Sequence, residues 1–299
     1  MTEYRVSAGS HVLTLGSRPW LMGIVNASPD SFSDGGRHRT LADRMALGRQ
    51  LMADGADILD VGGESAATNR PAVEVAEEIA RVVPLVRRLV QDLGALVSVD
   101  TYKPAVARAA IEAGAVMVND VSGLRDPELA VVCAQTGAAL VIMHTRAAPK
   151  VRMQAPDAYE HVTRDVLAFL AQRIEVAHAA GVADEQLILD PGPDFSKTPA
   201  QTIELLSELP RLHELGRPVL MAISRKDFIG ALTGRSPAQR GAGTLAALAH
   251  GVQAGAQMFR VHDVAAASDF LLVWSALRGE GEVTPDLALT EALRHEPSG

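Results

Sequence analysis

The sequence predicts an α/β protein, a TIM (β/α)8 barrel preceded by a short N-terminal β-hairpin. Three observations carry that expectation. First, helical stretches repeatedly end in a Gly step followed by a short apolar run that closes on a polar residue. Examples are "ADGADILDVGG", "EAGAVMVNDVSG", "QTGAALVIMHT" and "QAGAQMFRVHD", with "AAGVADEQLILDPG" a looser copy. Second, the apolar runs are continuous rather than alternating, the pattern of parallel strands buried on both faces. Third, "WLMGIVN", "ALVSVD" and "PVLMAIS" bring such runs to eight, alternating with amphipathic helical patterns. That favours a barrel over an open doubly wound sheet.

Along the chain, residues 4–17 alternate apolar and polar as "YRVSA" and "HVLTLG", a hairpin within residues 1–18 able to plug the barrel's bottom. After the first barrel strand, "NASPDSFSDGG" (26–36) is dense in Asp, Ser, Pro and Gly, which specifies a turn-rich loop placed to act as a lid. "PAVEVAEEIARVVPLVRRLVQDLG" and "AYEHVTRDVLAFLAQRIEVAHAAG" are helical patterns, each closing on a Gly suited to the left-handed helix end. The single cysteine, Cys133, falls in the helical run "ELAVVCAQTG" and is expected as buried filler. Residues 285–299 read as a surface tail. No linker or low-complexity stretch divides the chain, so one domain over residues 1–299 is expected.

Composition narrows the function. The chain has 299 residues, 47% hydrophobic but only 4% aromatic, so the core must be built from Ala, Val, Leu and Ile. A net charge of -8 argues against nucleic acid as a partner. The N-terminus has no basic and apolar leader, and no apolar run is long enough to span a membrane. A cytoplasmic protein acting on small molecules is expected.

In such barrels chemistry lies at the carboxyl ends of the strands. Those ends carry Asn26, the loop at Glu64, Asp100, Asn119, His144, Asp190, the trio Ser224, Arg225 and Lys226, and Arg260 with His262. Asp100, Asn119 and Asp190 are rich in acceptors and suit a nitrogen-rich heterocycle that donates several hydrogen bonds. Lys226, Arg260 and His262 are cationic or can become so. With Asn26 they suit a phosphate or diphosphate and a magnesium ion. No HxH or HExxH spacing, nucleophile elbow or Walker loop is present.

At these residues the sequence resembles dihydropteroate synthase. The blocks that carry the likeness are "MGIVNASPDSFSDGG", "SVDTYKPAVARAAIEAGAVMVNDVSG", "LDPG", "SRKDFIG" and "GTLAALAHGVQAGAQMFRVHDV", in order and covering nearly the whole chain. The resemblance implies that p-aminobenzoate attacks the methylene carbon of dihydropterin pyrophosphate and expels pyrophosphate. It implies pterin recognition by Asp100, Asn119, Met143, Asp190 and Lys226, with Asp100, Lys226 and Arg260 as catalytic positions. Asn26, Arg260 and His262 would bind pyrophosphate, Asn26 with magnesium. The acceptor side would comprise Phe32, the positions of Ala66 and Ala67, Arg70, Phe195 and Asp227. A homodimer through late helices is implied, and "SDFLLVWSAL" offers an apolar face for it. A folate-dependent corrinoid methyltransferase would share the barrel and pterin pocket, but the complete first-loop and "SRKDFIG" blocks favour the synthase.

The departures lie on the acceptor side. The second loop, "GGESAATNRP" (62–71), has Ala66 and Ala67 where the family usually has Thr and Arg. Arg70 could substitute only if the loop takes another path. Pro193, Asp194 and Ser196 replace a small Gly-rich loop, and Asp227 replaces a usual Ser. An Asp carboxylate ~4 Å from a substrate carboxylate costs about 1 to 4 kcal/mol unless a cation intervenes. Two readings therefore stand at this point, a synthase using p-aminobenzoate and a pterin-binding paralogue with weak or no activity or another acceptor.

Overall fold

The computed structural model describes residues 2–16, 18–28, 40–65, 68–281, 283–290 and 293. In chain order its elements are β1 (Tyr4–Ala8), β2 (His11–Leu15), β3 (Trp20–Asn26), α1 (Leu41–Ala53), β4 (Ile58–Gly62), α2 (Val75–Leu93), β5 (Val97–Asp100), α3 (Pro104–Glu112) and β6 (Met117–Asp120). They continue as α4 (Glu128–Thr136), β7 (Ala139–Met143), α5 (Val162–Ala179), β8 (Leu187–Asp190), α6 (Pro199–Ser207), β9 (Leu220–Met221), α7 (Asp227–Thr233), α8 (Gly241–Gln253), β10 (Met258–Val261) and α9 (Val264–Leu277).

β3 to β10 form one parallel sheet in the order β8-β7-β6-β5-β4-β3-β10-β9. A bridge between Leu189 and Val219 joins its two edges, with the Leu189 amide donating to the Pro218 carbonyl at 2.9 Å. The expected barrel is therefore closed. One strand is much shorter than its apolar run. Of residues 218–224 only Leu220 and Met221 form a regular strand, because the chain then turns to place Arg225 at φ 60.

β1 and β2 pair antiparallel, with Val6 opposite Leu13. Their inward residues Val6, Ala8, Leu13 and Leu15 pack with Met22, Ile58, Met117, Ile188, Leu220 and Met258. These are early residues of the barrel strands, so the hairpin seals the amino-terminal end as its alternation predicted. A second core lies between strands and helices, where Val97 and Val99 meet the side of the sheet covered by Leu85 and Leu89 of α2.

The alternation of side chains along a strand now decides where chemistry can occur. Two residues beyond the apolar layer come Asp60 after Ile58, Asn119 after Met117, Asp190 after Ile188 and Arg260 after Met258. The parallel register sets Asp100 beside both Gly62 and Asn119, and Met143 beside Asp190. An apolar plug thus supports a polar layer at the carboxyl-terminal mouth.

Candidate active site

Arg260 organises the floor of this mouth. Its Nε donates to Asp60 Oδ2 at 2.6 Å and its Nη2 to Asp100 Oδ2 at 2.9 Å. Asn119 Nδ2 donates to the same Asp60 oxygen at 3.1 Å. Burial works against the Arg260 cation, but Asp60 and Asp100 outweigh it and its pKa is raised. Asp100 is pushed up to about 7, by burial first and then by the neighbouring carboxylates, against the pull of Arg260. Asp60 Oδ1, Asn119 Oδ1 and Ser98 Oγ are buried oxygens without a hydrogen-bond partner among the described residues. Buried acceptors of this kind are rare unless a donor is supplied from elsewhere.

The opposite side of the floor comes from the loop after β8. Asp190 is buried, and its Oδ1 accepts from the Gly192 amide at 2.7 Å. Burial nevertheless pushes its pKa up to about 6. Gly192 has φ 64, and a Cβ there would collide with the His144 carbonyl. Only glycine suits that turn. Lys226 places Nζ 4.2 Å from the centre of the Phe195 ring, and burial lowers its pKa against the pull of Asp194 and Asp190.

Lys197 is fully buried beneath this loop. Its Nζ donates to the Gly192 and Phe195 carbonyls at 2.8 and 3.0 Å and lies 2.8 Å from His144 Nδ1. Burial brings the Lys197 pKa down to about 7 and that of His144 to about 2. His144 is therefore a neutral loop support rather than a charged strand-end group.

At the rim, Asn26 is half-buried and pairs in register with Gly62. His262 accepts or donates through Nδ1 to Ser224 Oγ at 2.9 Å. The sequence reading takes it as cationic or able to become so. Burial, together with Arg225, Arg260 and Lys226, lowers its pKa to about 3. His262 can offer a hydrogen bond to an anion, whose charge would in turn favour the imidazolium.

A cleft of about 460 Å³ opens above the floor, lined by Asp100 and Lys226 and by Glu64, Tyr102, Lys150 and Phe195 among others. Arg70 is not among the described residues that line it, whereas Thr68 and Asn69 are. Phe32, Ala66 and Ala67 lie outside the described residues. Asp227, where repulsion of a substrate carboxylate is expected, pairs with Arg240, whose Nη1 lies 3.0 Å from its Oδ1. Behind the second loop, Glu64 accepts from Lys103 Nζ at 2.7 Å, Tyr102 Oη at 3.0 Å and the Val73 amide at 2.8 Å. No group of three or more His, Cys, Asp or Glu suited to a metal occurs among the described residues.

Sequence reasoning passed over Asp60 and saw Lys197 only as a retained residue of its loop. Asp60 carried a signal, a charge inside the run "ILDVG" at the same parity as Ile58. The burial of Lys197 carried none, because its contact with His144 spans 53 positions.

The family model for pterin binding enzymes matches residues 22–262. A dihydropteroate synthase of Synechocystis is 39% identical over 271 residues, covering 90% of this chain and 93% of that protein. The structure of a Xanthomonas albilineans dihydropteroate synthase with 4-aminobenzoic acid superposes with a TM-score of 0.84 at 47% identity, covering 93% of this chain and 99% of that one. The same organism's enzyme in complex with 7,8-dihydropteroate gives 0.81 at 46% identity, with 92% and 98% covered.

Proposed function

The chain belongs to the pterin-binding enzyme family, as a transferase of the dihydropteroate synthase type, and on that premise we propose how its residues divide the work. The reaction joins 6-hydroxymethyl-7,8-dihydropterin pyrophosphate to p-aminobenzoate and releases pyrophosphate, a step of folate biosynthesis. The acceptor nitrogen forms a bond to the pterin methylene carbon. The carbon–oxygen bond to pyrophosphate breaks, its electron pair leaves with the diphosphate, and the nitrogen gives up a proton. An aromatic amine is neutral near pH 7, so no strong protein base is needed.

The observation that carries the assignment is the cluster of buried acceptors at the mouth. Asp100, Asn119 and Asp190 bind the N–H edge of the pterin, with Met143 beneath the ring and Lys226 donating to it. Support comes from the unpartnered Asn119 and Asp60 oxygens in the same layer, which a donor-rich ring would satisfy. Arg260 and His262 hold the pyrophosphate, Arg260 by charge and His262 by a hydrogen bond. Fixed charge aimed at a departing anion lowers the barrier most where water is excluded.

Asn26 offers an amide oxygen at the rim, a hard ligand of the kind magnesium takes, with diphosphate oxygens and water completing its shell. The ion, when bound, would draw charge from the leaving diphosphate. Phe195 and Asp227 border the acceptor, and Asp227 is neutralised by Arg240. The unit acts as a homodimer, a reading supported by Leu272, Val273 and Leu277 of α9, which are 71%, 58% and 83% exposed. A cytoplasmic site of action is consistent with this chemistry, and among the described residues no helix is long and apolar enough to cross a membrane.

The test is to incubate the protein with both substrates and magnesium and follow pyrophosphate and dihydropteroate together. Equimolar appearance of the two is expected. No product, in an assay where a relative's enzyme turns over, would contradict the assignment.

A further inference from the structure

Lys103 stands one position before α3, and it is not among the described residues that line the cleft. Its ammonium is nonetheless fully engaged. Nζ donates to Glu64 Oε2 at 2.7 Å, to the Val73 carbonyl at 2.6 Å and to Glu78 Oε2 at 2.5 Å. Three acceptors match its three protons. The Lys103 side chain is 12% exposed, and those of Glu64 and Glu78 are 7% and 1% exposed. Burial works against both Lys103 and Glu64 as charged groups. Glu64 and Glu78 nevertheless hold the Lys103 pKa up, and Lys103, with the Val73 amide and Lys150, holds that of Glu64 down.

The three acceptors come from both ends of one loop and from the helix behind it. Glu64 stands where the second loop leaves β4, and Val73 stands where the chain returns to α2. The Val73 amide also donates to Glu64 Oε2 at 2.8 Å, so the loop's two ends are joined both directly and through Lys103. Glu78 lies in the first turn of α2, packed under the loop's entry. A Cβ at Gly63 would lie 2.7 Å from Glu78 Cγ, and Arg81 Nη1 donates to the Gly63 carbonyl at 2.9 Å. With its other oxygen Glu78 accepts from Thr101 Oγ1 at 2.8 Å, and that hydroxyl accepts from the Lys103 amide at 3.2 Å. Thr101 follows Asp100 directly. One ammonium thus ties the neck of the second loop to the strand end that carries Asp100. Beyond the neck, Thr68 and Asn69 line the same cleft as Asp100.

We propose that Lys103 is the positioning residue of the second loop, closing its neck and fixing where its wall stands over the Asp100 floor without touching substrate. Holding the ends of a loop together removes chain freedom that its middle would otherwise keep. The kinetic consequence rests on the synthase reading above, whereas the closure of the neck does not.

Kinetics and hydrogen exchange test it together. In Lys103→Met the KM for p-aminobenzoate is expected to rise roughly 10-fold, as a misplaced wall costs, while the affinity for 6-hydroxymethylpterin changes less than about 3-fold. The pterin floor keeps its split because Arg260 and the strand register still hold Asp100. A residue that only held the fold together would lower the active fraction. A fall in kcat with neither affinity changed therefore overturns the proposal, as does an equal loss of both affinities. Hydrogen exchange reads the neck without turnover. In Lys103→Met, and in Glu64→Gln, which leaves Lys103 its pair with Glu78, residues 68–74 are expected to exchange roughly 10-fold faster while α5 keeps its protection. The second variant reads the neck even if Lys103→Met folds poorly. Unchanged exchange of residues 68–74 in both variants, or an equal rise in α5, overturns the proposal. Absence of turnover by the wild-type protein overturns the synthase reading, and the exchange result still decides this proposal.

Discussion

The guanidinium of Arg260 reaches Asp60 across the barrel floor, Nε to Oδ2 at 2.6 Å, and that same oxygen accepts from Asn119 at 3.1 Å. One carboxylate therefore positions both a cation and an amide of the proposed pterin site. Asp60 is fully buried, so removing its charge leaves Arg260 with Asp100 as its remaining carboxylate partner in this contact set. Asp60→Asn is expected to lose about 3 kcal/mol of stability, as when one member of a buried pair is removed. It should also weaken pterin binding, because Asn119 loses its anchor. Urea denaturation and titration calorimetry check the two effects, and wild-type values in both would show that Asp60 is a bystander.

Two floor carboxylates make pterin binding depend on pH. Asp100 titrates near 7 and Asp190 near 6, both raised chiefly by burial. A protonated carboxyl turns an O–H toward a ring that itself donates, whereas the carboxylate accepts. Affinity for 6-hydroxymethylpterin should thus rise between pH 5 and 8, with part of the rise removed in Asp190→Asn. The stability change runs the other way. Both folded pKa values lie above the ordinary 3.8, so this contribution is complete below about pH 4 and is lost as pH rises through 6 and 7. Calorimetry of this phosphate-free ligand across the range checks the sign, and a flat profile would contradict it.

Lys197 joins the loop after β8 to His144 by three contacts inside the protein. Above it, Asp194 and Ser196 both hold positive φ angles, a conformation that needs support from its surroundings. Lys197→Met keeps the length of the side chain but removes the donor to the Phe195 carbonyl and to His144 Nδ1, while the Gly192 carbonyl keeps the Phe195 amide, at a cost of about 2 to 4 kcal/mol. Thermal unfolding should report that loss, and the KM for both substrates should rise because Phe195 and Asp194 lose their fixed position.

The exposed face of α9 bears on assembly. Phe270 and Trp274 stack at 5.6 Å, and Leu272, Val273 and Leu277 stand in solvent around them. An apolar patch of this kind marks an interaction surface. Sedimentation of the wild-type protein should give twice the mass of one chain, and Leu272→Glu with Leu277→Glu should give the single mass. A wild-type monomer would remove the dimer from the account.

The barrel was legible because most buried strands close on a polar residue after a helix that ends in a Gly step, a pattern set by local chemistry. Asn26, Asp100, Asn119, Asp190 and Arg260 follow from the same rule of alternation, and Asp60 obeys it too once Ile58 is known to face inward. What the residues alone did not reveal depends on segments far apart in the chain. The lowered pKa of His262 comes from burial first and then from Arg225, Arg260 and Lys226 around the ring. Asp227 pairs with Arg240, and the Phe228 amide at the start of α7 donates to Asp194. The contact of Lys150 with the second loop spans 85 positions. None of these pairings has a period or spacing that would announce it.

The central claim is that the acceptor-rich floor reads the pterin ring, and a crystal structure with dihydropterin pyrophosphate tests it most directly. The account predicts the ring's N–H edge against Asp100, Asn119 and Asp190, Lys226 at its rim and the diphosphate toward Arg260 and His262. A ring bound elsewhere, or a floor left unchanged at saturating ligand with Arg260 still bridging Asp60 and Asp100, would contradict it.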